Sequence, residues 1–455
     1  LVAPLPFGRA LNLAINALPR DAADARALLD GKAPAAADVV ARAATLDRWH
    51  DAARLFELAE CDVEVARLFL AMLDAPGDGA AVQVCQARLS ERVALAGRVM
   101  IEQSDLLIAV WDGASRSLPG GTGHTIATAL AMGTPVIRID PADPQDWRVL
   151  RAPESLVAGA SGGEDRDAQL AALVASALRP GEGGALRAGA DALGREAWHA
   201  RSNPFWTGYR RIEALFGGED RPLRSLVQTY ERPAEIGEGS GAQLLGAVRA
   251  LPGGDGELAS RIESAVLRRF AWADGISTRL SDAYRGGMIA NFVLSALAIA
   301  SGIAYQPFAS DADKWIFATV EFLLLFAILV ITGIGVRRRL HRRWFETRRV
   351  AEYFRHAPIM LALGVARPAG RWPRGIQTSW PEYYARAGLR EPGLPRVALS
   401  GGYLRMALSD LLGRHVAQQR DYHLAKARRL TSVHHRLDHM SERLFRAAVL
   451  SVTAY

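Results

Sequence analysis

Cysteine is almost missing from these 455 residues, with Cys61 and Cys85 the only two. Both sit in helix-like, charged segments, which excludes a disulfide framework and a thiolate zinc centre and fits a reducing compartment. Charge is missing from two longer stretches. Residues 288–305, MIANFVLSALAIASGIAY, contain none, and residues 315–336, WIFATVEFLLLFAILVITGIGV, contain only Glu321. An apolar fraction of 50% excludes disorder. The length exceeds one ordinary hydrophobic core, so two or three units are expected. The chain opens on Leu1 rather than a methionine, in a strand-like LVAPLPF without a signal-peptide pattern, and stops inside an apolar run. Further chain is expected beyond both ends.

The formal net charge of +7 is unevenly spread: residues 1–150 carry a balance of −5, which leaves +12 for the remainder. Much of it lies in RRRLHRRWFETRR, residues 337–349, with seven arginines against Glu346. A basic stretch of this kind suits nucleic acid, but its place directly after an apolar run gives it another cause. At about 1.5 Å per residue, each run is long enough, or nearly so, to cross a hydrocarbon core of roughly 30 Å. Arg279 and Arg285 precede the first run, and the connecting QPFASDADK holds two aspartates and one lysine. The positive-inside rule then gives a transmembrane hairpin with both ends in the cytoplasm, and Tyr305 and Trp315 as interfacial aromatics. The lipid bilayer is the expected partner, and a nucleic-acid polymer is set aside.

Asn291, Ser295, Ala298 and Gly302 recur at helical spacing as a small, partly polar stripe. Such a stripe lets helix backbones approach, or lines a wet conduit between subunits. Packing is the stronger reading of the stripe alone. Glu321 weighs towards the conduit, since an ionisable group within a span usually faces protein or water. Two helices cannot enclose a pore, so conduction would need a homo-oligomer or further spans.

Ahead of the membrane, strands and helices alternate, as in an α/β layer fold. Residues 1–7 read as one strand, followed by a long, mostly helical excursion. Residues 106–111 read as a buried parallel strand, 122–132 as a crossover helix closed by Gly133, and 136–139 as the parallel partner. Between them runs Pro119-Gly120-Gly121-Thr122-Gly123. In such sheets ligands sit beyond the carboxyl ends of the strands. Glycines let the backbone approach a ligand, and the new helix offers its positive end to phosphate. Asp112 and Gly113 end one strand on this rim, Asp140 ends the other, and Arg9 follows the first strand. The aspartates suit ribose hydroxyls better than they suit an anion.

SDLLIAVWDG followed by PGGTGHTIATALAMGTPVI resembles the SLOG family, a Rossmann-like group related to the LOG cytokinin-activating enzymes. FAWADGISTRLSDAYRGG, the two apolar runs and RRWFETRRVAEYFR resemble the SLATT family of two-helix membrane effectors. The first resemblance covers about residues 1–180, and the second covers about 265–455 through pattern more than a rigid motif. It implies a sensor of a nucleotide-derived ligand, made by a partner nucleotidyltransferase, joined to a pore-forming element of bacterial anti-phage defence at the inner membrane. The LOG enzymes carry PGGxGTxxE, whose glutamate serves hydrolysis of a nucleoside monophosphate. Ala127 stands where that glutamate would fall, and His124 displaces the threonine. Deoxyribosyltransferase-like relatives also use a carboxylate on this helix, and none stands between Thr122 and Met132. The expectation is therefore a sensor and not an enzyme. The alternative is a membrane-anchored nucleoside or nucleotide hydrolase with Asp112 as its acid. The family's earlier strand and glycine loop are not seen, so half of the pocket is expected upstream of Leu1.

Four segments follow: a Rossmann-like parallel-sheet domain over 1–180, a helical linker region over 181–264, a helix leading into the hairpin over 265–345, and a cytoplasmic helical segment over 346–455. RPGEGG and LPGGDGE mark breaks in the linker. Between them SNPFWTGYRRIEALF reads as an amphipathic helix that packs on the head or lies at the membrane surface. SRIESAVLRRFAWADGISTRLSDAYR reads as a helix feeding the first span, with Ile262, Val266, Phe270 and Ile276 on an apolar side. Residues 358–402, with Trp372, Trp380, Tyr383 and Tyr384, read as an irregular segment near the membrane or at a subunit contact. Leu430, Val433, Leu437, Met440 and Leu444 make a coiled-coil-like seam suited to self-association. AAVLSVTAY reads as the start of a third span. His435 and His439, four apart, read as exposed helix histidines rather than a metal site. No cofactor or metal is expected beyond the nucleotide-derived ligand.

Overall fold

A computed structural model of the chain describes all residues except 115–118, 157–164, 179–190, 192–193, 218–227, 309–312, 367–379 and 455. RPGEGG, Trp372 and residues 309–312 of the connection between the apolar runs lie outside the described residues. The fold is predominantly helical and divides into two compact units, each built from three separate stretches. Residues 1–191, 241–266 and 356–413 form the first, and 192–240, 267–355 and 414–455 form the second.

The first unit contains two three-stranded sheets where one parallel sheet was expected. In the first sheet β1 (Val2–Leu5) pairs in parallel with β2 (Arg54–Glu57). A third strand, β6 (Val397–Ala398), also pairs in parallel with β2. In the other, β3 (Leu107–Val110) pairs in parallel with β4 (Val136–Ile139). The outer strand β5 (Trp147–Leu150) returns antiparallel on β4. The strands expected at 106–111 and 136–139 are therefore partners, while the strand at the chain start belongs to the other sheet. Nor is β3 buried on both faces. Leu107, Ala109 and Trp111 enter a core with Ile126, Leu130 and Val136, while Ile108 and Val110 are 63% and 59% exposed.

The helix Thr122–Ala131 ends as expected. Gly133 has φ +76, its N–H donates to Leu130 O (2.9 Å), and the Thr134 N–H donates to Ala129 O (2.8 Å). This pair of bonds is a Schellman closure, which satisfies two carbonyls the helix would otherwise leave open. The 24-residue helix Gly79–Glu102 is capped by Asp78, whose side chain accepts from the Ala80 and Ala81 amides. Such a cap satisfies two of the four orphan donors at a helix start.

Residues 358–402 hold regular elements where they are described, where an irregular segment was expected. They fold into the first unit as the helix Trp380–Arg390 and strand β6. Arg390 donates to Ser104 O (2.7 Å) and Arg386 pairs with Asp105 (3.1 Å), both just ahead of β3. Fully buried Tyr403 donates its hydroxyl to Ala362 O at 2.8 Å.

In the second unit the helix Arg268–Phe308 is 41 residues long. The helices Lys314–Arg337 and Arg414–Ala454 run 24 and 41 residues. Ile276, Leu280 and Leu340 form a small core with Trp272, Tyr284 and Trp344. The stretch 202–216 forms a turn at Pro204–Trp206 and the helix Gly208–Phe216. It packs on the first long helix, within the unit that carries the apolar helices. A Cβ at Gly286 would lie 2.1 Å from Trp206 O, so glycine there permits the approach.

Candidate ligand rim and apolar helix pair

Because β3 and β4 are in register to Val110–Ile139, Trp111, Asp112 and Asp140 leave the sheet side by side. Asp112 Oδ1 accepts from the Ala114 N–H (3.0 Å) and Asp140 Oδ1 from the Ala142 N–H (3.0 Å). Arg138, within β4, was not singled out from the sequence, although a cation inside the apolar run VIRI was its signal. Its guanidinium donates to Trp111 O (3.0 Å) and to Asp140 (2.9 Å) and lies 5.8 Å from the Trp111 ring centroid. A Cβ at Gly113 would meet Arg138 Nη2 at 3.1 Å, and Gly113 has φ +85. Gly113 thus makes room for Arg138, whose charge Asp140 pairs.

The glycine loop divides into two roles. Gly120 has φ +83, and a Cβ there would lie 2.7 Å from Ser90 O and 3.0 Å from Ala94 N. It packs against the helix Gly79–Glu102, and its N–H donates to His124 Nδ1 at 3.3 Å. That amide is therefore turned inward, where outward-pointing amides were expected. Exposed Gly121 is the N-cap of the helix Thr122–Ala131 and supplies no side-chain cap. Thr122 is exposed beside it and Gly123 is buried. The amides of this first turn carry the helix's partial positive charge.

Arg9 is not on this rim. It begins the helix Arg9–Asn16 after β1, in the other sheet, and its guanidinium pairs with Asp47 and, at 2.6 Å, with Asp51. The amides at that helix start are occupied by carboxylates. Gly8 N–H donates to Asp62 (3.0 Å) and Arg9 N–H to Glu57 (2.7 Å). Burial pushes the Asp62 carboxyl up to about 6, against the Gly8 hydrogen bond that lowers it. Buried Arg92 closes the same edge by donating to Pro6 O (3.2 Å) and Leu58 O (2.6 Å). The sheet of β1 and β2 therefore has its strand ends filled by the protein's own groups.

The two apolar helices are long and apolar enough to cross a membrane, with 11% of the most apolar window of the first buried and none of the second. They meet along part of the expected stripe. Asn291 Nδ2 donates to Thr332 Oγ1 at 3.1 Å, and Ala298 is buried. A Cβ on Gly302 would lie 3.1 Å from the Glu321 carboxylate. Ser295 is exposed and off this seam. The stripe is thus first a packing surface, with Glu321 set against Gly302. On the terminal helix, His435 Nε2 lies 3.0 Å from His439 Nε2, and no group of three metal-capable side chains occurs among the described residues.

No protein-family model matches the chain, and neither a curated protein nor a solved structure does.

Proposed function

We propose that the protein is a ligand-gated membrane effector of bacterial anti-phage defence. A nucleotide-derived ligand binds at the helix start behind Gly121, with Asp112 and Asp140 accepting from its sugar hydroxyls. Binding shifts subunit packing in a homo-oligomer, and the apolar helices permeabilise the inner membrane from a hairpin whose ends are cytoplasmic. A ligand shifts such an equilibrium only by its differential affinity for the two states. The observation that carries this reading is the apolar helix pair, whose large side chains stay exposed while Gly302 and Glu321 meet inside it. A soluble protein rarely leaves so much contiguous apolar surface in water. The sensing half is supported by the uncapped first turn at Gly121 and by Ala127 at the position of the LOG glutamate.

The experiment is ion flux from liposomes containing the full chain, with nucleotides released by heat from the purified protein as the ligand. Flux that changes with ligand, and stops responding in Gly121→Asp, is the expected result. Aspartate at an N-cap accepts from first-turn amides, so this variant fills the anion's donors without unfolding the helix. Liposomes that stay tight with and without ligand would sink the proposal. Base release from a nucleotide panel, abolished by Asp112→Asn, would replace it with hydrolysis.

A further inference from the structure

Within the second unit, below the apolar run that starts at residue 288, a cavity of about 660 Å³ is lined by six cationic side chains and three carboxylates. One wall is a single face of the helix Arg268–Phe308. Asp274, Ser277, Thr278, Ser281, Asp282 and Arg285 recur along it at three-and-four spacing. The other cations arrive from different elements: Arg210, then Arg348 and Arg355, then Lys426 and Arg429.

Ion pairing inside the unit accounts for part of this charge. Arg210 pairs with Asp282 (2.6 Å), Lys426 pairs with Glu213 (2.6 Å), and Arg348 and Arg355 share Asp274 (3.2 Å each). Glu352, behind the wall, takes a further share of Arg348 and Arg355. Arg285 stands outside these pairs. The Arg285 guanidinium stands 4.9 Å from the ring centroids of both Tyr209 and Trp344. It meets no carboxylate within ion-pair distance among the described residues. Burial opposes ionisation of Glu213, but bonds from Lys426 and Tyr209 outweigh it and hold its carboxyl below the usual value. The Oε1 atom of Gln228, also in the lining, is buried and has no hydrogen-bond partner among the described residues.

Topological arginines need only lie on the cytoplasmic flank of a span. They have no reason to converge on a concave space lined by hydroxyls and aromatic rings. Arg285, with no ion-paired carboxylate among the described residues, is repelled by the other cations of the lining, and a bound anion relieves this. The volume suits a small organic molecule rather than a single inorganic ion. We infer that this cavity is a second ligand site, separate from the glycine loop, for a phosphate-bearing anion. Arg285, Arg429 and Lys426 face its charge, and Ser277, Thr278 and Ser281 donate to its oxygens. Two sources share that chemistry: a soluble phosphorylated metabolite and the headgroup of an anionic lipid. Gly287, Met288 and Ile331 line a separate, mostly apolar cavity of about 430 Å³ beside the next turn, which makes the lipid source worth a direct arm.

The test is calorimetric titration of sodium tripolyphosphate into the full chain held in phosphatidylcholine nanodiscs. Salt-sensitive binding is expected, weakened at least tenfold by Arg285→Gln and by Ser281→Asp. The second variant adds a carboxylate to the wall without removing an ion pair, so the test survives if Arg285→Gln folds poorly. The surface variant Arg20→Gln should bind as the parent does, and a Gly121→Asp background keeps the glycine loop out of the readout. Competition by dihexanoyl phosphatidylglycerol, and not by dihexanoyl phosphatidylcholine, would assign the site to a lipid headgroup. Absence of competition would assign it to a soluble phosphate compound. The inference is overturned if tripolyphosphate does not bind, if both wall variants bind within twofold of the parent, or if Gly121→Asp abolishes binding. Tight liposomes in the flux experiment would leave it standing, since this readout is binding alone.

Discussion

Two adjacent glycines in one loop have opposite tolerances. At Gly120 any side chain meets the helix backbone at Ser90 and must also adopt φ +83. Gly120→Ala should therefore lower stability by about 2 kcal/mol, read as a shift in the denaturation midpoint of the full chain. Gly121 has an extended φ of −69 and ψ of 166, so its replacement tests ligand binding and not folding. Asp62 gives a pH prediction. Its carboxyl sits at about 6 in the fold against an ordinary 3.8, so ionising it costs folding free energy. The penalty is absent below about 3.8, grows up to about 6, and is constant above. Asp62→Asn keeps an acceptor for the Gly8 amide and removes the penalty. The variant should gain on the parent by about 1 kcal/mol between pH 4 and 7, after allowance for solvent screening. Thermal unfolding across that range checks it, and a constant difference would refute the burial argument.

At the level of elements, Gly286 decides how the turn Pro204–Trp206 docks on the first long helix. Gly286→Ala should displace that turn and cost about 1–3 kcal/mol, whereas Gly335→Ala, with nothing within 4 Å, should be neutral or stabilising. Comparing the two unfolding temperatures separates crowding from helix propensity. The helix Thr122–Ala131 was legible because its start, its alanine-rich body and its Gly133 closure are all local signals. Strands β2 and β6 were not, since four and two residues carry no period, and their pairing spans hundreds of residues. Arg9 was misplaced for a related reason: its partners Asp47 and Asp51 lie a full helix away in sequence. The polar face from Asp274 to Arg285 was readable at helical spacing. The cations opposite it come from residue 210 and from residues 348 to 429, and no local pattern announces that they converge.

For the whole molecule, the interleaved composition of the two units governs what can be cut apart. A chain ending at residue 355 lacks β6 and the helix Trp380–Arg390, both parts of the first unit. It should behave as a soluble aggregate or be degraded, while the full chain gives a discrete species by size-exclusion chromatography in detergent. Recovery of a well-behaved truncated head would show that β6 is dispensable. The same interleaving sets an order of events during synthesis. The free edge of β2 leaves the ribosome at residue 57 and its partner at 397, a delay of roughly half a minute at about 5–20 residues per second. Both apolar helices emerge within that interval. Under the proposed membrane reading, targeting competes with a nascent head whose strand edge is still open, and a chaperone holding that edge would decide how much protein reaches the bilayer intact.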